Sequence, residues 1–364
     1  MQLYKKGLVF LFLALLFPIP FTGTALAKKP VVFVSILPQK YFVEQIAGDT
    51  VDVEVMVMPG ASPATYEPRP LQMAMLAKAD VYLAIGVPFE RTWLPRIKAT
   101  NPNLTIVHLD KKLRKLPMAA NPMEIDASPR GAILHDYRET EAEREVHGTK
   151  DEHEHHATED EHEHHATESE HEHHAAETGH KEHEDHDHAG HEKHDHANML
   201  DPHVWLSPRW VKTMAKPIRL SISKIAPEHA KQYRINTRAF TKRLDELDEE
   251  IHTIFKPIPA EKRVFMTFHP SWGYYAMTYN LIQIPIEFEG KSPTPKTLEQ
   301  IISIAKKRNL KTIFIQPQFS QSSATTIANS IDGTVIVVNP LAENWEENLR
   351  DVSKKLAASF ILFE

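Results

Sequence analysis

Short apolar runs punctuate the chain at helix-length intervals. Val31-Val32-Phe33-Val34-Ser35-Ile36 is a compact β-branched run, as expected of a strand buried on both faces. Val51 to Val57 alternates apolar with polar residues and stops at Pro59-Gly60. Val81-Tyr82-Leu83-Ala84-Ile85-Gly86 and Thr105 to Leu109 read as a third and a fourth strand. Helix-length segments separate them. One runs to about Gly48, and another spans Pro70 to Lys78, with proline well placed in the first turn. Strands alternating with such spacers predict parallel βαβ units.

From about 111 to 200 this pattern fails. The stretch is dotted with proline and then becomes acidic and histidine-rich, with no hydrophobic period. Too little apolar surface is available there to offset the entropy of ordering, so residues 140–198 are expected to form a disordered insertion. The helical pattern returns between 208 and 256. Pro217 is expected to kink or interrupt its first part, and Pro227 opens a second helix. In that helix Tyr233, Phe240, Leu244, Leu247, Ile251 and Ile254 recur at sevens, fours and threes, which places them on one face.

The second half repeats the first. Arg263 to Phe268 is a predicted strand ending at His269, and Leu281 to Ile286 is another. A helix follows from Pro295 to Arg308, then strands at Thr312–Ile315 and Thr334–Val338, and a helical tail from about Glu343. The expected fold is therefore α/β: two (β/α)4 lobes with parallel sheets, joined by one long helix. The expected division is a signal peptide at 1–27, a first lobe at 28–139 and the histidine-rich insertion at 140–198. A ligand-bearing segment with the linker helix at 199–256 and a second lobe at 257–364 complete it. Ligands of open α/β sheets bind beyond the carboxyl ends of the strands, so the inter-lobe crevice is the default site.

Charge and histidine sharpen this picture. Of 23 histidines, seventeen fall between His147 and His196. Residues 151–196 hold seventeen acids and two lysines, a net −15; the whole chain is −7, so the remainder carries +8. The basic residues form no cluster, and nucleic acid is not an expected partner. At the start of the chain, Lys5 and Lys6 precede a short apolar run, and Ala25-Leu26-Ala27 follows two prolines. This is the pattern of a cleaved secretory signal. The sequence contains no cysteine, which excludes disulfides, thiolate ligands and a lipidated cysteine. A periplasmic protein, unanchored and monomeric, is expected.

Two histidines outside the tract are candidate metal ligands. His269 closes a strand in FHPSWGYY, and His203 stands in DPHVWLSP ahead of the helices. Imidazole suits zinc, copper and nickel. The tract, DEHEHHATE with two near-copies, offers His153, His155, His156, His162, His164, His165, His171, His173 and His174. Without fixed geometry these are expected to bind ions weakly. Catalytic patterns are missing. The residues four positions beyond the tract's His-Glu pairs are Ala157, Ala166, Ala175, Asp187 and Asp195, so no metalloprotease motif is formed. There is no nucleophile elbow, phosphate loop or cysteine nucleophile, and an enzyme is not expected.

The motifs PGASPATYEPRP (59–70), DPHVWLSP (201–208), IAPEHAKQYRINTRAF (225–240), FHPSWGYYA (268–276) and VVNPLAENW (337–345) together carry a resemblance. The chain resembles the zinc and manganese solute-binding proteins of bacterial ABC importers, in their zinc-uptake branch, where an acidic histidine-rich loop ahead of the DPH motif is typical. The resemblance implies two lobes on a rigid helix. It implies a divalent ion in the crevice: zinc first, with manganese, nickel or copper behind it. It also implies delivery of that ion to a membrane permease with its cytoplasmic ATPase. It makes His203 and His269 ligands. The family's first-motif histidine is replaced here by Ala64, and a strand-end carboxylate by Asn339. Glu67, Glu287 or Glu289, Gln318, Asn339, water or a tract imidazole are the candidates to complete the shell. A periplasmic metal buffer or chaperone acting mainly through the tract is the alternative.

Overall fold

The computed structural model describes residues 28–118, 200–287 and 290–361. The expected signal segment and the expected insertion at 140–198 lie outside the described residues. The first lobe runs β1 (Val31–Val34), α1 (Leu37–Ala47), β2 (Asp52–Val55), α2 (Pro70–Leu76), β3 (Val81–Ala84), α3 (Pro88–Thr100) and β4 (Thr105–His108). Two packed helices follow, α4 (Pro208–Ile225) and α5 (Ala230–Phe255). The second lobe runs β5 (Val264–Thr267), α6 (Gly273–Tyr279), β6 (Ile282–Pro285), α7 (Pro295–Lys307), β7 (Thr312–Ile315), α8 (Gln321–Ser330), β8 (Thr334–Val337) and α9 (Trp345–Ile361).

Both sheets are parallel and have the same order, β2-β1-β3-β4 and β6-β5-β7-β8. β1 and β3 are central in one sheet and β5 and β7 in the other. All four residues of β3, β5 and β7 are buried, whereas edge strands β4 and β8 are half-exposed. Within each lobe the chain steps from the first strand to one neighbour and then returns to the other side. The reversal leaves a crevice between β1 and β3 and another between β5 and β7, at the carboxyl edge of each sheet.

The second sheet divides its side chains by the two-residue period of a strand. Val264, Met266, Ile313 and Ile315 pack in one apolar cluster with Ile301 and Ile304 of α7 and Ile327 of α8. Phe265 and Phe314 point the other way, into a cluster shared with α9, α5, α4 and the first lobe. One continuous core therefore ties the first lobe, the helical spine and one face of the second sheet together. At 26 residues, α5 is about 39 Å long at the usual rise per residue. Its buried face is Tyr233, Phe240, Leu244, Leu247, Ile251 and Phe255. Phe255 takes the last place expected for Ile254, which is only half-buried.

Pro217 does not interrupt α4, which runs unbroken through it. The flanking Val211, Met214, Ala215, Ile218 and Ile222 are all buried, and this packing outweighs the hydrogen bond that proline cannot donate. Among the described residues no helix is long and apolar enough to cross a membrane.

Candidate metal centre

His203 is placed by a short segment stapled to the second lobe. Its entry is fixed where the Asp201 amide donates to the Leu116 carbonyl at 2.8 Å. The Tyr274 hydroxyl donates to the Asp201 carbonyl at 3.0 Å and accepts from the Leu116 amide at 2.9 Å. The exit is fixed by two buried indoles. Trp205 donates to the Pro340 carbonyl, and Trp345 donates to the Trp205 carbonyl, each at 2.8 Å. Asp201 Oδ1 accepts from the backbone amide of His203 at 2.9 Å, an Asx turn. The same oxygen lies 2.7 Å from Nδ1 of that histidine.

His269 sits two residues beyond β5, at the reversal point of the second sheet. Gln316, just past β7, locks its backbone. The Gln316 amide nitrogen donates to the His269 carbonyl (2.8 Å), to Ser271 Oγ (2.9 Å) and to Thr267 Oγ1 (3.2 Å). Its oxygen accepts from the His269 amide at 3.2 Å. Phe319 stacks on the imidazole at 5.2 Å and 22°. Nδ1 of His269 lies 3.2 Å from Oε2 of Glu287, which follows β6.

The two imidazoles come together. Their ring centres are 5.3 Å apart with planes at 71°. A tetrahedral zinc with Zn–N bonds of about 2.0–2.1 Å would hold two ring centres about 5.2 Å apart. No described residue forms a hydrogen bond with Nε2 of either ring. Burial pushes the His203 imidazole below its usual pKa, against the opposing pull of Asp201. That favours the neutral form, the one that ligates. Among the described residues, no group of three or more His, Asp or Glu is set to hold an ion, so two imidazoles are what the folded chain presents.

The other expected ligands are distributed unevenly. Glu287 is buried but lies against the Nδ1 side of His269. Asn339 follows β8, and its Oδ1 accepts the Leu341 amide at 3.0 Å, turning the chain toward α9. Gln318 is half-buried, and it is Gln316 that bonds to the histidine turn. Ala64 and Glu67 are exposed on the loop between β2 and α2. Glu289 and the nine tract histidines lie outside the described residues. Asp201 and Gln316 were not among the expected site residues. Asp201 had a signal, since an Asp two residues before a histidine can close an Asx turn and reach its ring.

The reversal point of the first sheet is different. Glu90, at the start of α3, is buried. Its carboxylate accepts from Ser35 Oγ at 2.5 Å and from the amides of Ile85 (2.9 Å) and Gly86 (2.8 Å). This group ties the end of β1 to the β3–α3 turn.

Two parallel α/β lobes on a helical spine, with paired histidines at a strand-end crevice, define the class of extracytoplasmic solute-binding proteins. The chain belongs to the family of the zinc-uptake complex component A, periplasmic, which it matches over residues 32–359. It is a family of transport components, not of enzymes. A crystal structure of ZnuA is 32% identical, with a TM-score of 0.67, over 92% of this chain and 100% of that one. A ZnuA deletion mutant with zinc bound is likewise 32% identical, with a TM-score of 0.66, over 91% of this chain and 98% of that one. The high-affinity zinc uptake system protein ZnuA of Bacillus subtilis is 27% identical over 306 residues, 84% of this chain and 76% of that protein. Zinc-binding protein AdcA of Streptococcus pyogenes is 26% identical over 326 residues, 88% of this chain but 52% of that protein. This chain thus spans about half the length of AdcA.

Proposed function

We propose that this protein captures a zinc ion in the periplasm, on the Nε2 atoms of His203 and His269, and delivers it to an ABC importer's membrane permease. The observation that carries the reading is the 5.3 Å pairing of two histidines at the second sheet's carboxyl edge. Family membership and the zinc named for ZnuA and AdcA support the choice of ion. Export is assigned to residues 1–27, and the sequence has no cysteine on which a lipid could be placed. Two imidazoles leave two positions of a four-coordinate ion open. Water or a tract imidazole can fill them and be displaced at the permease.

A chelator-competition titration with zinc tests the assignment. The double variant His203→Ala/His269→Ala should lose the tightest site. If that variant keeps the parent's affinity, the assignment is wrong. The lack of a third described ligand favours one other reading, a metal buffer working mainly through the tract. Deleting residues 150–197 separates the two. The importer reading keeps one tightly bound ion, and the buffer reading loses it.

A further inference from the structure

We infer that Asp201 and Glu287 are the positioning residues of this metal site: they hold the two imidazoles by Nδ1 and supply the charge that balances a divalent ion. The inference rests on His203 and His269 being the ligands.

Both carboxylates are buried, Asp201 at 1% and Glu287 at 5% exposure. A buried carboxylate needs a partner, and each finds the Nδ1 of one histidine, at 2.7 Å and 3.2 Å. A carboxylate there fixes the tautomer with its proton on Nδ1. The lone pair of Nε2 is then presented to the metal, and the ring becomes a stronger donor. An imidazole that ligates is neutral, so the charge that offsets a bound divalent ion comes from the two carboxylates in contact with the rings. The negative charge that neutral Asn339 cannot give is thus placed one layer behind the ligands.

Gly273 gives independent support. Its φ is not in the left-handed region, so backbone freedom does not demand glycine there. A Cβ at that position would lie 2.5 Å from Oδ2 of Asp201. Residue 273 is small because the carboxylate behind His203 occupies the space. The motifs DPHVWL and HPSWGYY are therefore two halves of one device.

The test compares Asp201→Asn, Glu287→Gln and Gly273→Ala in the full chain. Zinc affinity is read by chelator competition, and the Co2+-loaded protein by its visible absorption. The amide variants keep shape and an oxygen that accepts from Nδ1–H, so a packing role would leave both readouts unmoved. The expected result is zinc binding weaker by about 10- to 100-fold in each, with a shifted Co2+ spectrum and an unchanged far-UV circular dichroism signal. If Asp201→Asn or Gly273→Ala does not fold, Glu287→Gln decides, since its side chain bonds only His269 among the described residues. Affinities within threefold of the parent, with the parent's Co2+ spectrum, overturn the inference. If removing both histidines leaves zinc affinity intact, it is the ligand assignment beneath it that fails.

Discussion

The indole of Trp345, the first residue of α9, donates a 2.8 Å hydrogen bond to the carbonyl of Trp205, two residues beyond His203. Both rings are fully buried. Through this bond the helix that closes the second lobe fixes the segment that carries a metal ligand. In Trp345→Phe the buried carbonyl is orphaned and ring volume is lost, which should cost on the order of 2 kcal/mol. Urea denaturation measures it. A loss below about 0.5 kcal/mol, the usual range of a neutral surface change, would mean that the bond does not hold the segment.

Glu90 sets a pH dependence away from the metal site. Burial pushes its carboxyl from 4.5 up to about 7, with the charge of Asp110 adding to the rise. A pKa raised in the folded state means that the folded chain holds the proton more tightly. The contribution is therefore full below about pH 4.5 and is lost as pH rises through about 7. Glu90→Gln removes the titrating group. The difference in unfolding free energy between pH 5 and pH 8 should then shrink by about 2 kcal/mol relative to the parent. An identical pH profile in the two proteins would contradict this.

Ala64 puts a methyl group where the resemblance implies an imidazole. Ala64→His offers a third nitrogen to an ion held by two. Zinc affinity should rise by about tenfold or more, equivalent to about 1.4 kcal/mol. An unchanged Kd would show that the loop between β2 and α2 does not reach the ion.

Asn339→Asp should do little by comparison. The side-chain oxygen at 339 already accepts the Leu341 amide, and an aspartate would keep that bond. Zinc affinity is expected to stay within about threefold of the parent, well under 1 kcal/mol. A large gain would mean that residue 339 turns toward the ion.

Much of the fold was legible because burial writes itself into sequence. The apolar runs at β1, β3, β5 and β7 are strands, and the heptad-like face of α5 is its core face; the equally apolar β8 lies at a sheet edge, half-exposed. Helix α8 was not legible. QSSATTIANS buries only Ala324, Ile327 and Ala328 and has no apolar stripe to betray it. Of the two outcomes expected at Pro217, interruption did not occur, because packing on both sides outweighs the local rule. In the site, His203 and His269 stood out by position, and the structure brings their rings together. The roles of Asp201 and Glu287 depend on side-chain approaches within 3.2 Å. For Asp201 the two-residue spacing to His203 was the one available signal; no spacing along the chain encodes the approach of Glu287 to His269 or the crowding at Gly273.

The central claim is that one ion sits on His203 and His269. Crystals of the zinc-loaded protein, measured across the zinc absorption edge, test it most directly. The account predicts a single strong anomalous peak about 2.0–2.1 Å from Nε2 of both histidines, with the carboxylates of Asp201 and Glu287 behind the two rings. A strong peak elsewhere, with these two nitrogens empty, would contradict it.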